Sequence, residues 1–219
     1  MSAGLKAVIF DMDGVLMDSE DLWRQAMIQA YGEFGMPVSI EQCKQTMGMR
    51  IHEVTHLWLK HFNSKAANNE VVDRVVALLL NLIEKEGKFI AGIPEILDHL
   101  QQKQIPMGLA TSSSVELMEA ILHKLGIRHY LKSRVSAEAL TFGKPHPEVF
   151  LNCAAELKIA PQYCLVIEDS LNGVIAAKAA QMKVIAVPDS DHQKDQRFLV
   201  ADYLYTTMPE TLPLIRKLF

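Results

Sequence analysis

The chain has 219 residues, a formal net charge of −4 and 49% apolar residues, which fits one domain, or one domain with a sizeable insert, around a real core. It has no basic block, so nothing points to nucleic acid or an anionic membrane as a partner, and its densest apolar run, residues 75–83, is far too short to span a bilayer. The three cysteines, Cys43, Cys153 and Cys164, form no CxxC and no metal spacing, and the N-terminus shows no charged-then-apolar signal pattern. A reducing, cytoplasmic setting without a disulfide framework is therefore expected.

In chain order, the first element is an apolar run at residues 5–10 that reads as a buried strand. It stops abruptly at Asp11-Met12-Asp13-Gly14. Both carboxylates thus fall at the C-terminal end of a strand, where open parallel sheets place their ligands. Two anions this close repel each other unless something positive joins them. Mg²⁺ suits such a place, because it takes one or two carboxylates plus a substrate phosphate.

Residues 18–88 contain no convincing strand. Ser19, followed by an acidic first turn, predicts a capped helix to Glu33, ended by Gly35 and Pro37; further helices are expected at 41–47, 50–62 and 69–85. This block starts and ends beside the two aspartates, as a lid that excludes water and selects substrate would.

Beyond the block, strands are predicted at 106–110, 134–136, 164–168 and 184–187, with a weaker one at 203–205, and helices at 94–102, 115–125, 148–157 and 174–180. The alternation implies a parallel sheet with helices on both faces. No internal repeat or low-complexity segment interrupts it. The second strand ends in Thr111-Ser112-Ser113-Ser114, a hydroxyl-rich turn suited to phosphate oxygens. Lys144 stands in Gly143-Lys144-Pro145, held by the prolines around it. Another strand ends in Glu168-Asp169-Ser170, adding two carboxylates at the same edge.

These four strand-end pieces resemble, in order, the motifs of the haloacid dehalogenase superfamily of phosphotransferases: Asp11-Met12-Asp13-Gly14, then Thr111, then Lys144, then Glu168-Asp169. The resemblance spans nearly the whole chain. It implies an α/β fold, a Rossmann-like parallel-sheet core at 1–17 and 88–219 with an inserted α-helical cap at 18–87. It also implies the roles. Asp11 is the nucleophile that forms an aspartyl-phosphate, and Asp13 is the general acid and then base. Mg²⁺ is held by Asp11, the main-chain carbonyl of Asp13 and Asp169, with Glu168 supporting the site. Lys144, Thr111 and the Ser112 backbone bind the phosphoryl oxygens, with Met12 between the two aspartates in the same substrate-binding loop. The expected partner is a small phosphate monoester, and the expected state is a monomer.

Within the family, the string from Asp18 to Trp23, Gly48-Met49-Arg50 and Ala110-Thr111-Ser112-Ser113 are similar to bacterial phosphatases acting on hexose and hexitol phosphates, 2-deoxyglucose 6-phosphate among them. Resembling sugar-phosphate mutases carry a histidine where Trp23 stands. Tryptophan cannot relay a proton, so a phosphatase is favoured. Arg50 keeps the mutase alternative open, since mutases use a cap arginine near there for a second phosphate; a solvated helix residue is the plainer reading. A non-catalytic phosphate sensor is opposed by the intact nucleophile, acid, lysine and metal acid.

Other features read more simply. His52-Glu53-Val54-Thr55-His56 matches the zinc-protease HExxH, but its longer form fails at Leu59. These histidines are expected to be surface and packing residues. His146 is expected to be a loop residue, and the eleven methionines mostly fillers. Trp58 fits the apolar face of its helix with Ile51, Val54 and Leu57; for Trp23, packing and substrate-facing roles stay open.

Overall fold

The computed structural model describes residues 4–219. Its sheet has six strands: β1 (Ala7–Phe10), β2 (Met107–Thr111), β3 (Leu131–Ser136), β4 (Cys164–Glu168), β5 (Lys183–Ala186) and β6 (Tyr203–Leu204). They lie in the order β3-β2-β1-β4-β5-β6, every pairing parallel. The order reverses beside β1, which pairs with β2 on one side and β4 on the other. That reversal opens a crevice at the strand C-termini, and Asp11 lies at its floor.

Successive residues of each strand feed opposite layers, as the two-residue period of a strand requires. Val8, Phe10, Leu109, Leu165 and Ile167 pack with α5 (Ile93–Gln102), α6 (Val115–Leu125) and α9 (Leu212–Leu218). Ala7, Ile9, Ala110, Val166 and Val184 pack with α7 (Glu148–Leu157) and α8 (Leu171–Ala179). Burial on both faces makes the central strands continuous apolar runs, which is why they are legible in sequence. Each large side chain buried this way is worth about 1.5–3 kcal/mol.

Several details depart from expectation. β3 starts at Leu131, earlier than 134, because an edge strand alternates: Leu131, Ser133 and Val135 are buried while Lys132 is exposed. Helix α8 starts at Leu171 instead of 174. Ser170 caps it, its hydroxyl accepting from Gly173 N at 3.1 Å, so Asn172 and Gly173 belong to the first helical turn. Ser19 does stand at the N-cap of α1 (Glu20–Glu33), but its side chain makes no cap bond; the hydroxyl is used elsewhere.

The insert after β1 holds α1, α2 (Ile40–Lys44), α3 (Ile51–His61) and α4 (Asn68–Glu86). A capping box between Ser39 and Gln42 starts α2, which ends before the predicted 47 as the chain turns through Gly48 at φ +75°. Leu22, Ala26, Ala30, Val54, Trp58, Val75 and Leu79 fill the space between these helices, and Tyr31 Oη lies 3.0 Å from Thr55 Oγ1. The two connections to the sheet run side by side: Asp18 N donates to Lys88 O at 3.0 Å and Ile90 N to Leu16 O at 3.1 Å. Cys43, Cys153 and Cys164 are free and buried, and no described helix is long and apolar enough to cross a membrane.

Candidate active site

The strand ends converge. Lys144, buried, donates to Asp11 Oδ1 at 2.7 Å and to Glu168 Oε1 at 2.6 Å. The remaining oxygen of Glu168 accepts from Asp169 N (3.0 Å), Ser170 N (2.9 Å) and Ser170 Oγ (3.0 Å). Glu168 is therefore fully engaged: it anchors Lys144 and the start of α8. Gly173 is required by this arrangement, because a Cβ there would lie 1.7 Å from Glu168 Oε1.

Asp169 differs. Its Oδ2 is buried with no hydrogen-bond partner. Gly14, at φ +70°, lets the chain pass over it; a Cβ would lie 2.1 Å from that oxygen. Asp11, Glu168 and Asp169 offer oxygens within 4.8 Å of one another, the one such acidic, histidine or cysteine group among the described residues. Burial, then the neighbouring Glu168 carboxylate, holds Asp169 well above the usual carboxylate range. Burial, opposed by Lys144 and reinforced by Glu168, pushes Asp11 up to about 7. One ammonium does not balance these carboxylates, so the cluster is a place where a further cation would serve. An orphaned buried oxygen flanked by hard oxygen donors fits Mg²⁺.

Asp13 faces the same space and is held by three donors: Ser19 Oγ (2.7 Å) and Trp23 Nε1 (2.8 Å) on Oδ1, and Ser113 Oγ (2.6 Å) on Oδ2. This is where the Ser19 hydroxyl is used, and it decides the orientation of Trp23. Neither residue, nor Ser113, was picked out as an Asp13 partner in the sequence. The signal was there: Ser19 and Trp23 are four apart, so a helix places both on one face.

A cavity of about 70 Å³ covers these groups. Asp11, Asp13, Thr111, Ser112, Lys144 and Asp169 line it from the sheet, and Glu20, Trp23, Arg24, Lys44, Met47 and Met49 from the helical insert. Met12 does not line it; its side chain is buried in the core, and its carbonyl accepts from Leu16 N (2.8 Å) and Met17 N (3.2 Å). Thr111 Oγ1 accepts from Ser113 N at 3.1 Å, while Ser112 Oγ donates to Gly48 O at 2.9 Å. Glu20, which the sequence reading passed over, faces the cavity; burial and then nearby Asp13 push its carboxyl up to about 8.

The insert is seated on the sheet by further contacts. Asn172 Nδ2 donates to Met47 O (3.1 Å), Arg50 Nη1 to Leu140 O (2.8 Å), and Lys44 pairs with Asp191 (2.9 Å). Arg50 also pairs with Glu53. It is half-buried, at the N-terminus of α3, and is not among the residues lining the cavity. His52 turns to Asn68, with Nδ1 3.0 Å from Oδ1, and Glu53 serves Arg50, so the HExxH residues do not converge on a metal site. Exposed His146 packs on Phe142 with ring centroids 4.6 Å apart, as a loop residue would.

The comparisons with known proteins agree with this geometry. Residues 8–187 match the haloacid dehalogenase-like hydrolase family. The chain is 38% identical to hexitol phosphatase B of Escherichia coli over 207 residues, covering 93% of each. It is 31% identical to the phosphorylated carbohydrates phosphatase of Thermotoga maritima, covering 83% of this chain and 84% of that one. The crystal structure of CbbY from Rhodobacter sphaeroides with phosphate shares the fold, with a TM-score of 0.86 at 24% identity over 94% of this chain and 96% of that one. Motif order, sheet topology and the match over most of its length agree: the chain belongs to the haloacid dehalogenase-like hydrolases.

Proposed function

We propose that this protein is a Mg²⁺-dependent phosphatase of sugar and hexitol phosphates, working through a phosphorylated Asp11. The observation that carries the reading is the Lys144 clasp on Asp11 beside the unpartnered oxygen of Asp169. The similarity to phosphatases of hexitol phosphates and phosphorylated carbohydrates supports the substrate class.

Lys144 occupies only Oδ1 of Asp11, so Oδ2 is the oxygen left to attack phosphorus. Asp13 gives a proton to the departing sugar oxygen and then takes one from the water that hydrolyses the aspartyl-phosphate. Lys144 and Thr111 hold charge on the phosphoryl oxygens. Asp11, Asp169 and the carbonyl of Asp13 would hold Mg²⁺, which neutralises those oxygens when bound. Glu168, with both oxygens engaged, supports Lys144 instead of holding the ion directly. Residues 18–87 form a cap that opens about the paired linkers at 16–18 and 88–90, since the seated cavity, about 70 Å³, is small.

A sugar-phosphate mutase would need a second phosphate site. Arg50, the residue that kept this alternative open, spends its guanidinium on Glu53 and Leu140 O. The test is a panel of phosphate esters assayed for free phosphate with and without Mg²⁺. Inorganic phosphate from hexose and hexitol phosphates, lost on chelation, is expected. An isomerised sugar phosphate without phosphate release would overturn the reading.

Two further outcomes follow from the acid cluster. Gly14→Ala drives a Cβ into Asp169, so Mg²⁺ binding measured by calorimetry is expected to weaken roughly 10–100-fold. The second concerns pH. Asp11 is raised from an unfolded value of 3.8 to about 7 in the folded chain. The metal-free protein therefore binds more protons folded than unfolded across that window, and this contribution to stability is lost as pH rises through it. Mg²⁺ requires the ionised carboxylates, so it binds better as pH rises. The increase in Tm on adding Mg²⁺ is expected to be larger at pH 8 than at pH 5; equal increases would contradict the assignment.

A further inference from the structure

The two oxygens of Asp13 are not equivalent. Oδ1 accepts from Trp23 Nε1 at 2.8 Å and Ser19 Oγ at 2.7 Å, and Oδ2 accepts from Ser113 Oγ at 2.6 Å. An indole N–H only donates, so it is satisfied only by an oxygen offering a lone pair; a serine hydroxyl both donates and accepts. Oδ1, facing a donor-only group and a hydroxyl, is the poor place for a proton. Oδ2, whose companion Ser113 can turn its hydroxyl round, is the good one. Trp23 belongs to α1 in the helical insert, whereas Asp13 and Ser113 belong to the sheet side. The bond from Trp23 thus runs from the helical insert to the sheet side.

We propose that Trp23 is a positioning residue: its indole N–H holds Asp13 Oδ1 and so presents Oδ2 to the leaving oxygen, and only in the seated state. The proposal rests on the phosphatase reading above. In the step concerned, an oxygen of Asp11 forms a bond to phosphorus as the bond from phosphorus to the sugar oxygen breaks. The electron pair of that bond takes the proton from Asp13 Oδ2, leaving a carboxylate still held at Oδ1. In the return step Asp13 regains a proton from the water that attacks the phosphorylated Asp11. Because indole does not pass on protons, α1 sets the geometry of the acid without joining the proton path.

The test is the dependence of kcat/KM on leaving-group basicity, along a series from p-nitrophenyl phosphate to alkyl and hexitol phosphates, in wild type, W23F and S19A. The ratio kcat/KM reports only steps up to phosphorylation of the enzyme, so the base role of Asp13 does not enter it. Trp23→Phe keeps an aromatic ring and removes the donor. It is expected to lower kcat/KM about 10²-fold more for alkyl and hexitol phosphates than for p-nitrophenyl phosphate, which needs no acid. Ser19→Ala is a small truncation at a position that makes no cap bond, so it remains informative if W23F folds poorly, and it should shift the slope the same way. Slopes parallel to wild type in both variants would overturn the proposal, as a residue that only packs would lower every substrate alike. Wild-type turnover of p-nitrophenyl phosphate checks the phosphatase reading separately. Its absence would overturn that reading and this inference together, whereas parallel slopes with normal wild-type turnover overturn this inference alone.

Discussion

Asp11→Asn is expected to end phosphate release, lowering kcat by about 10⁴-fold or more for every substrate. The amide keeps the shape of the side chain but is a poor nucleophile and cannot leave as a carboxylate when water attacks. Stability should behave differently from activity. Burial and Glu168 raise the Asp11 carboxyl to about 7 against the pull of Lys144, so ionising it is costly in the metal-free protein. A neutral amide removes that crowding, while Lys144 keeps its bond to Glu168 at 2.6 Å. An unchanged or raised Tm with activity lost is the expected pair of results, from thermal melts and a phosphate-release assay on one preparation. Retained turnover would contradict the role of Asp11.

Lys144→Met should damage both properties. Burial alone would lower the Lys144 pKa, but Asp11 and Glu168 on either side raise it, so the side chain stays an ammonium. Methionine keeps an unbranched side chain one atom shorter and removes the one cation that touches both carboxylates. Loss of a buried partner leaves uncompensated charge and costs about 3–5 kcal/mol. Loss of a charge-stabilising group in the transition state costs kcat about 10²–10³-fold. Denaturant unfolding without metal and single-turnover kinetics with Mg²⁺ measure the two effects. A variant as stable as wild type would show that Lys144 is not the counter-charge of the cluster.

The central strands were legible because they are buried on both faces, so residues 7–10 and 164–167 are continuous apolar runs. Asp11, Thr111 and Glu168 sit where such a run stops, Lys144 lies in the loop between β3 and α7, and Asp11, Asp13, Thr111, Lys144 and Asp169 do meet in one cavity. What was hidden depends on side-chain direction. Glu168 and Asp169 are adjacent in sequence, yet one is saturated by hydrogen bonds and the other is left open. Trp23 looked like a choice between packing and substrate, whereas its N–H serves Asp13. Arg50 looked either solvated or phosphate-binding, and instead ties the helical insert to Leu140. In each case a contact between residues distant in sequence decides, and periodicity carries no information about it.

The most direct test of the account uses Asp13→Asn with p-nitrophenyl phosphate and Mg²⁺. This leaving group departs without an acid, so Asp11 should still be phosphorylated, but the variant lacks the base that activates water. One burst of p-nitrophenol per enzyme is expected, with a phosphoryl group accumulating on the peptide that contains Asp11 after an acid quench. Continuous phosphate release at the wild-type rate, or a burst that leaves Asp11 unmodified, would contradict it.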